Sequence, residues 1–354
     1  MSSKEIKATR NNNFGFLRLL FATMVIVTHS FEFKYLNVSS DPLAAIFGSV
    51  TLGDLSVDGF FLISGYLITK SFAENPNVLL FMKKRILRIY PGFIVASIVC
   101  LVPIAAAGGS SVLSILHQLP MSLIRMLLLL KADNRSAFVG SNYPVLDGSM
   151  WTISFEAICY TLVVFFGKTG LLVSKTPIAF IGVVCIVVFE VFGLNSYNLS
   201  NFLRLTGVYC FGSCFFLWKE HIRFRLDLFL VSIVALCFCL RFRMFAEPAI
   251  IVFGGYIIFF VAVSVKSDLL SRINNRNDIS YGVYLYAWPI GKLLLWYFPS
   301  TSATMCCLLT IVISYTVGAI SWFGVEKPAM RVKLDQRLTL WMRNFKVPVS
   351  RSQT

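Results

Sequence analysis

Arg18 and His29 are the polar anomalies of an otherwise apolar stretch, FLRLLFATMVIVTHS, residues 16–30. Eleven positions apart on an α-helix, their side chains fall about 20° apart around the axis and about 16 Å apart along it. A histidine with an ordinary pKa near neutrality suits general-base work, and an acidic partner fixes its tautomer. Two carboxylates in other apolar stretches qualify as that partner: Asp58 in VDGFFLISGYLI and Glu156 in MWTISFEAICY. An ionisable group inside a bilayer costs about 3 kcal/mol on insertion scales, so each is expected to face a partner or a watery cavity. Taken singly, each also has a plain structural reading. His29 bonds a backbone carbonyl, Arg18 snorkels to headgroups, and the carboxylates pair with neighbouring helices.

A second cluster, FMKKRILRIYP at residues 81–91, carries Lys83, Lys84, Arg85 and Arg88. Arg85 and Arg88 are three apart and so neighbours on a helix face, a geometry that suits a multiply charged phosphate ligand. The alternative is a simple topology anchor.

The elements that position these groups are membrane helices. Apolar residues make up 57% of 354 and charged residues only 14%, with a mean hydropathy of +0.75, more than one soluble core of this length can hide. At about 20 residues per crossing, ten spans are expected: 14–33, 48–69, 89–107, 149–166, 177–192, 202–218, 226–240, 248–265, 279–298 and 303–323. The chain is therefore read as an all-α polytopic bundle. The segment 112–130, broken by Pro120 and a polar SILHQLP half, is expected to be re-entrant or interfacial instead of crossing. The polar residues 1–13 precede a first span with no small-residue cleavage site, so no cleaved signal is expected. The division is 1–13 as an N-terminal segment, 14–325 as the membrane domain and 326–354 as a basic tail.

Ten crossings put both termini on one side, together with 23 of the 32 basic residues. The positive-inside rule makes that side cytoplasmic, so the formal charge of +15 expresses topology and not nucleic-acid binding. The basic tail also suits anionic lipid. The nine cysteines lie in or beside apolar spans and show no zinc spacing, so no metal site is expected. Walker, GxGxxG and GxSxG motifs are absent, as is any convincing inverted repeat of the kind transporters use.

From about Asn13 to Arg331 the chain resembles the acyltransferase family 3 membrane proteins, which O-acylate bacterial surface polysaccharides and related glycans. The matching motifs are FLRLLFATMVIVTH, VDGFFLISGYLI, KKRILRIYP, MWTISFEAICY, ISYGVYLYAWP and VEKPAMR, in the family's order. The resemblance implies a ten-helix bundle in the bacterial inner membrane. It would pass an acyl group, usually acetyl, from cytoplasmic acyl-coenzyme A to a polysaccharide or lipid-linked oligosaccharide at the outer face. It makes His29 the essential histidine and Arg18 its motif partner, matches Glu156 to the family's acidic position, and places Lys84, Arg85 and Arg88 at the coenzyme A phosphates. Ser64 and Gly65 match the SGY turn, where glycine permits close approach of a helix or ligand. Glu156 or Asp58 is expected to orient His29, as base or, less favoured, as acyl carrier. Where relatives often read YLYHWP this chain has Ala287, which removes a second histidine. The resemblance leaves no residues after the tenth span for the SGNH-type domain of some relatives. A polysaccharide or lipid transporter, or a non-catalytic assembly protein, is the competing reading; consumption of acyl-coenzyme A separates them.

Overall fold

The computed structural model describes residues 12–141, 143–192 and 196–332. Eleven long helices carry the fold. They are α1 (Phe14–Tyr35), α2 (Leu52–Glu74), α3 (Val78–Ala107), α4 (Val112–Leu127), α5 (Trp151–Lys168), α6 (Thr176–Phe192), α7 (Tyr197–Leu217), α8 (Leu226–Cys239), α9 (Arg243–Ser264), α10 (Ser280–Tyr297) and α11 (Ala303–Met330). No strand occurs among the described residues.

Each of the ten expected spans falls on a helix, but six of these are long and apolar enough to cross a membrane: α1, α2, α3, α5, α9 and α11. Helices α6 and α8 are shorter, at 17 and 14 residues. Helix α10 is long enough but more polar, and most of its side chains are buried inside the bundle. A helix surrounded by other helices has less need of a uniformly apolar surface.

Helix α2 starts from a capping box, in which Thr51 Oγ1 accepts from Asp54 N at 2.9 Å while Thr51 N donates to Asp54 Oδ2 at 3.1 Å. It then packs along α7 so closely that a methyl group at Gly65 would collide with the Tyr209 carbonyl oxygen. A methyl at Gly212 would likewise strike the Leu62 carbonyl. These glycines let two backbones approach, as small residues do between membrane helices. Helix α3 begins eleven residues before the expected 89, so the basic cluster lies within it. It relaxes into a π turn at Cys100–Ile104 where Pro103 lacks an N–H to donate.

Helix α4 forms a hairpin with the segment that follows it. It leaves the C-terminal end of α3, and its last carbonyl, that of Leu127, accepts from Tyr90 Oη at 2.9 Å. Tyr90 lies 18 residues before Gly108, about 27 Å back along α3. The chain then returns without regular structure, turning at 135–140, and Phe138 N donates to Gly108 O at 2.7 Å. Polar side chains of α4 satisfy the returning limb: Gln118 donates to Asn134 Oδ1 at 3.1 Å, Ser114 bonds Ser136 at 2.7 Å, and Arg125 pairs with Asp133 at 3.3 Å. The opposite face, with Leu113, Leu116, Leu123 and Leu127, is exposed, as lipid contact requires.

Glu326, where the basic tail was expected to begin, is fully buried within α11. Most of that tail, residues 333–354, lies outside the described residues.

Candidate functional site

Arg18 and His29 open onto two different cavities. The first, about 150 Å³, is lined by Arg18, Ser64, Arg85, Arg88, Glu156 and Tyr160 among others. The second, about 1090 Å³, holds His29 and Glu32. Because α1 carries Arg18 near its start, the small cavity lies toward the end of the bundle where α1, α3 and α10 begin and α11 finishes. This is termed the basic end.

An ion network closes the basic end. Asp278, just before α10, receives Arg18 at 3.2 Å and Arg88 at 2.8 Å on one oxygen. Its other oxygen accepts from Asn274 at 2.8 Å and Ser280 Oγ at 2.5 Å. Burial would raise the Asp278 pKa, but the two guanidinium groups and these hydrogen bonds bring it down to about 2. Arg88 also pairs with Glu326 at 2.6 Å and lies over the Tyr281 and Trp322 rings. Four elements are thereby tied together.

Arg85, three residues earlier, is different. It has no carboxylate partner among the described residues, its guanidinium lies 5.8 Å from both the Phe81 and Tyr160 ring centres, and its Nε is buried without a partner. The Arg18 Nε is buried and unpartnered as well. Glu156 accepts from Ser64 Oγ at 3.1 Å and from Tyr160 Oη at 2.5 Å. The small cavity thus presents unspent guanidinium donors, which suits an anionic or carbonyl-bearing ligand.

In the large cavity His29 Nδ1 lies 3.2 Å from Glu32 Oε2, and Tyr143 Oη donates to Glu32 Oε1 at 3.1 Å. A carboxylate only accepts, so Nδ1 carries the proton and Nε2 is left as the basic nitrogen. Trp288 meets the imidazole edge-on at 4.6 Å between centres, Phe33 stacks on it at 5.9 Å, and the Phe33 and Trp288 rings meet each other edge-on at 4.6 Å. Tyr143 and Val145 come from the limb that follows the hairpin; Val145 O accepts from Trp288 Nε1 at 3.2 Å. Burial and the Glu32 carboxylate push the Tyr143 phenol up to about 12, so it stays a donor.

The sequence-predicted residues therefore separate into groups. Arg18, Ser64, Arg85, Arg88 and Glu156 share the small cavity, while His29 stands in the large one. Neither Glu156 nor Asp58 reaches His29; the orienting carboxylate is Glu32. Asp58 is fully buried against Arg204 of α7 at 2.7 Å, and Arg204 also binds Glu247 at 2.9 Å. That places Asp58 in a helix-pairing cluster, itself outside the lining of both cavities, although Arg204 also pairs at 3.6 Å with Asp54 on the wall of the large one. Gly65 faces the α7 backbone instead of a ligand, and Lys84 is exposed on α3 outside both cavities. Sequence reasoning passed over Glu32 although its spacing of three from His29 puts it on the same helix face. Trp288 and Glu326 were within quoted motifs, and Asp278 lies one residue before another. No group of histidine, cysteine and carboxylate side chains able to hold a metal occurs among the described residues.

A family model described as "Acyltransferase domain" matches residues 11–324. The chain is similar to an O-acetyl transferase of Shigella phage Sf6, at 26% identity over 340 residues, covering 90% of this chain and 96% of that protein. It is also similar to Nodulation protein 10 of Rhizobium leguminosarum bv. viciae, at 26% identity over 379 residues, covering 94% and 96% of the two chains. No solved structure matches.

Proposed function

The chain belongs to the membrane acyltransferase family 3, and from that premise we propose that it moves an acetyl group from acyl-coenzyme A to a glycan hydroxyl. The donor enters at the basic end, taken as cytoplasmic because basic residues gather there. Arg85, the guanidinium without a counter-ion, meets donor phosphate or pantetheine oxygens, and the exposed Lys84 extends the positive surface outside. Arg18 holds the donor nearer the thioester. A volume of about 150 Å³ suits a thin pantetheine arm better than a nucleotide.

The acceptor sugar occupies the large cavity. His29 Nε2 takes the proton of its hydroxyl, the hydroxyl oxygen bonds the carbonyl carbon, and the C–S bond breaks. The proton then passes from the imidazolium to the departing thiolate. Glu32 stabilises the imidazolium and holds its tautomer while Trp288 and Phe33 fix the ring plane. Ser64 and Tyr160 spend their donors on Glu156, so Glu156 shapes the donor cavity.

The observation that carries this reading is the His29–Glu32 pair, with Nε2 free, on the wall of a cavity roomy enough for sugars. In a strain carrying the protein, His29→Ala is expected to remove O-acetyl groups from the surface glycan, read by NMR of the purified material. Purified His29→Ala protein is expected to bind acetyl-coenzyme A normally. Unchanged O-acetyl content would reject the reading.

A further inference from the structure

The two cavities have two lining residues in common, Val57 of α2 and Tyr284 of α10. Both are buried. On α2, Asp54 belongs to the large cavity and Phe60 to the small one, so Val57 sits between them with about one turn on either side. On α10 the order is Tyr281 in the small cavity, Tyr284 in both and Trp288 in the large. The partition is thus about one helical turn thick, and Trp288, the next turn outward, touches His29.

Tyr284 is clamped in place. Its hydroxyl donates to the Ser149 carbonyl just before α5 at 2.6 Å and lies 2.8 Å from Thr152 Oγ1 in its first turn, while its ring meets Phe60 edge-on. Val57, the other residue common to both linings, has a β-branched side chain with little rotamer freedom. A flexible lysine or methionine would make a poor wall; a bonded tyrosine and a valine make a firm one.

We propose that Val57 and Tyr284 form a septum that selects the acyl group by size and keeps water of the large cavity from the thioester. The inference rests on the donor reading above. For the carbonyl carbon to meet an oxygen held at His29, the acyl end of the donor must enter this partition first. Every added methylene therefore meets Tyr284 before the carbonyl arrives, and apolar size discrimination of this kind is worth about tenfold or more per carbon. Water reaching the same carbon forms a C–O bond and breaks the same C–S bond, giving free acid and thiol, so a firm wall also protects the donor until an acceptor is present. Tyr284 acts as a specificity and positioning residue.

The test uses full-length protein in lipid nanodiscs, with thiol release measured from acetyl-, propionyl- and butyryl-coenzyme A in the absence of any glycan. Donor binding is measured in parallel by calorimetry. Tyr284→Ala is expected to raise acceptor-free thiol release from acetyl-coenzyme A at least tenfold and to lift butyryl use relative to acetyl by a similar factor. Tyr284→Phe, which keeps the ring, is expected to keep the acetyl preference. Should Tyr284→Ala fail to yield folded protein, Val57→Ala opens the same wall with the same expected direction. Donor binding with unchanged release and unchanged acyl preference in the opened variants overturns the septum alone. Loss of acetyl-coenzyme A binding in the unmodified protein overturns the donor reading beneath it.

Discussion

The two cavities differ in more than size. The small one, about 150 Å³, is bounded by arginines, and two of its three are anchored on carboxylates drawn from α11 and the segment before α10. The large one, about 1090 Å³, has a single histidine–carboxylate pair set in a frame of aromatic rings. Narrow and charged suits a thin ligand of fixed chemistry; roomy and aromatic suits sugars of varied shape. Within the small cavity the contrast recurs between neighbours. Arg88 is spent on Asp278 and Glu326 and holds helices together, whereas Arg85 has no carboxylate partner among the described residues. One basic motif therefore holds two arginines in two different environments.

The sharpest way to break that contrast is Arg88→Ala, which leaves Glu326 buried without its charge partner. It is expected to cost about 3–5 kcal/mol of stability, seen as a lowered thermal unfolding temperature. Arg85→Ala should leave that temperature unchanged. In the large cavity, Glu32→Gln keeps the shape but loses the charge behind His29, and transfer is expected to fall about a hundredfold with donor affinity unchanged. An equal loss of both would put Glu32 in the fold instead of the chemistry.

Acid addresses the ion network by itself. Asp278 titrates at about 2, below its ordinary 3.8. A lowered carboxylate pKa stabilises the fold fully above the unfolded value, and that contribution disappears as pH falls from about 4 through 2. The loss expected over this window is about 2 kcal/mol, measurable by thermal unfolding at stepped pH and missing from the pH slope of Asp278→Asn. The smallest effect concerns the donor: Arg85→Ala is expected to weaken acetyl-coenzyme A binding about tenfold by calorimetry. Unchanged affinity would reduce Arg85 to a surface anchor.

The helices were legible because their signal is local: long apolar stretches with isolated charges predict where a chain crosses a bilayer. So was the separation of Arg18 and His29 along the axis, since both lie on one helix of known rise. Pairings between distant segments were not. Arg88 meets Asp278 and Glu326 across 190 and 238 residues, and nothing in KKRILRIYP says which arginine will be neutralised. Asp58 was misleading for the same reason, because Arg204 reads from sequence as one more charge in an apolar stretch. Glu32 was the readable omission, with attention drawn to carboxylates on other helices although one stood a single turn away.

The hairpin built on α4 has a consequence for how the chain's sidedness is measured. Since residue 138 returns to Gly108, where the excursion began, the passage contributes no change of side. A reporter fused at residue 109 and one fused at residue 140 should give the same compartment. Scoring Val112–Leu127 as a crossing would invert the orientation assigned to every later helix, and Asp278, just before α10, would be assigned to the face opposite Arg18 and Arg88, with which it pairs.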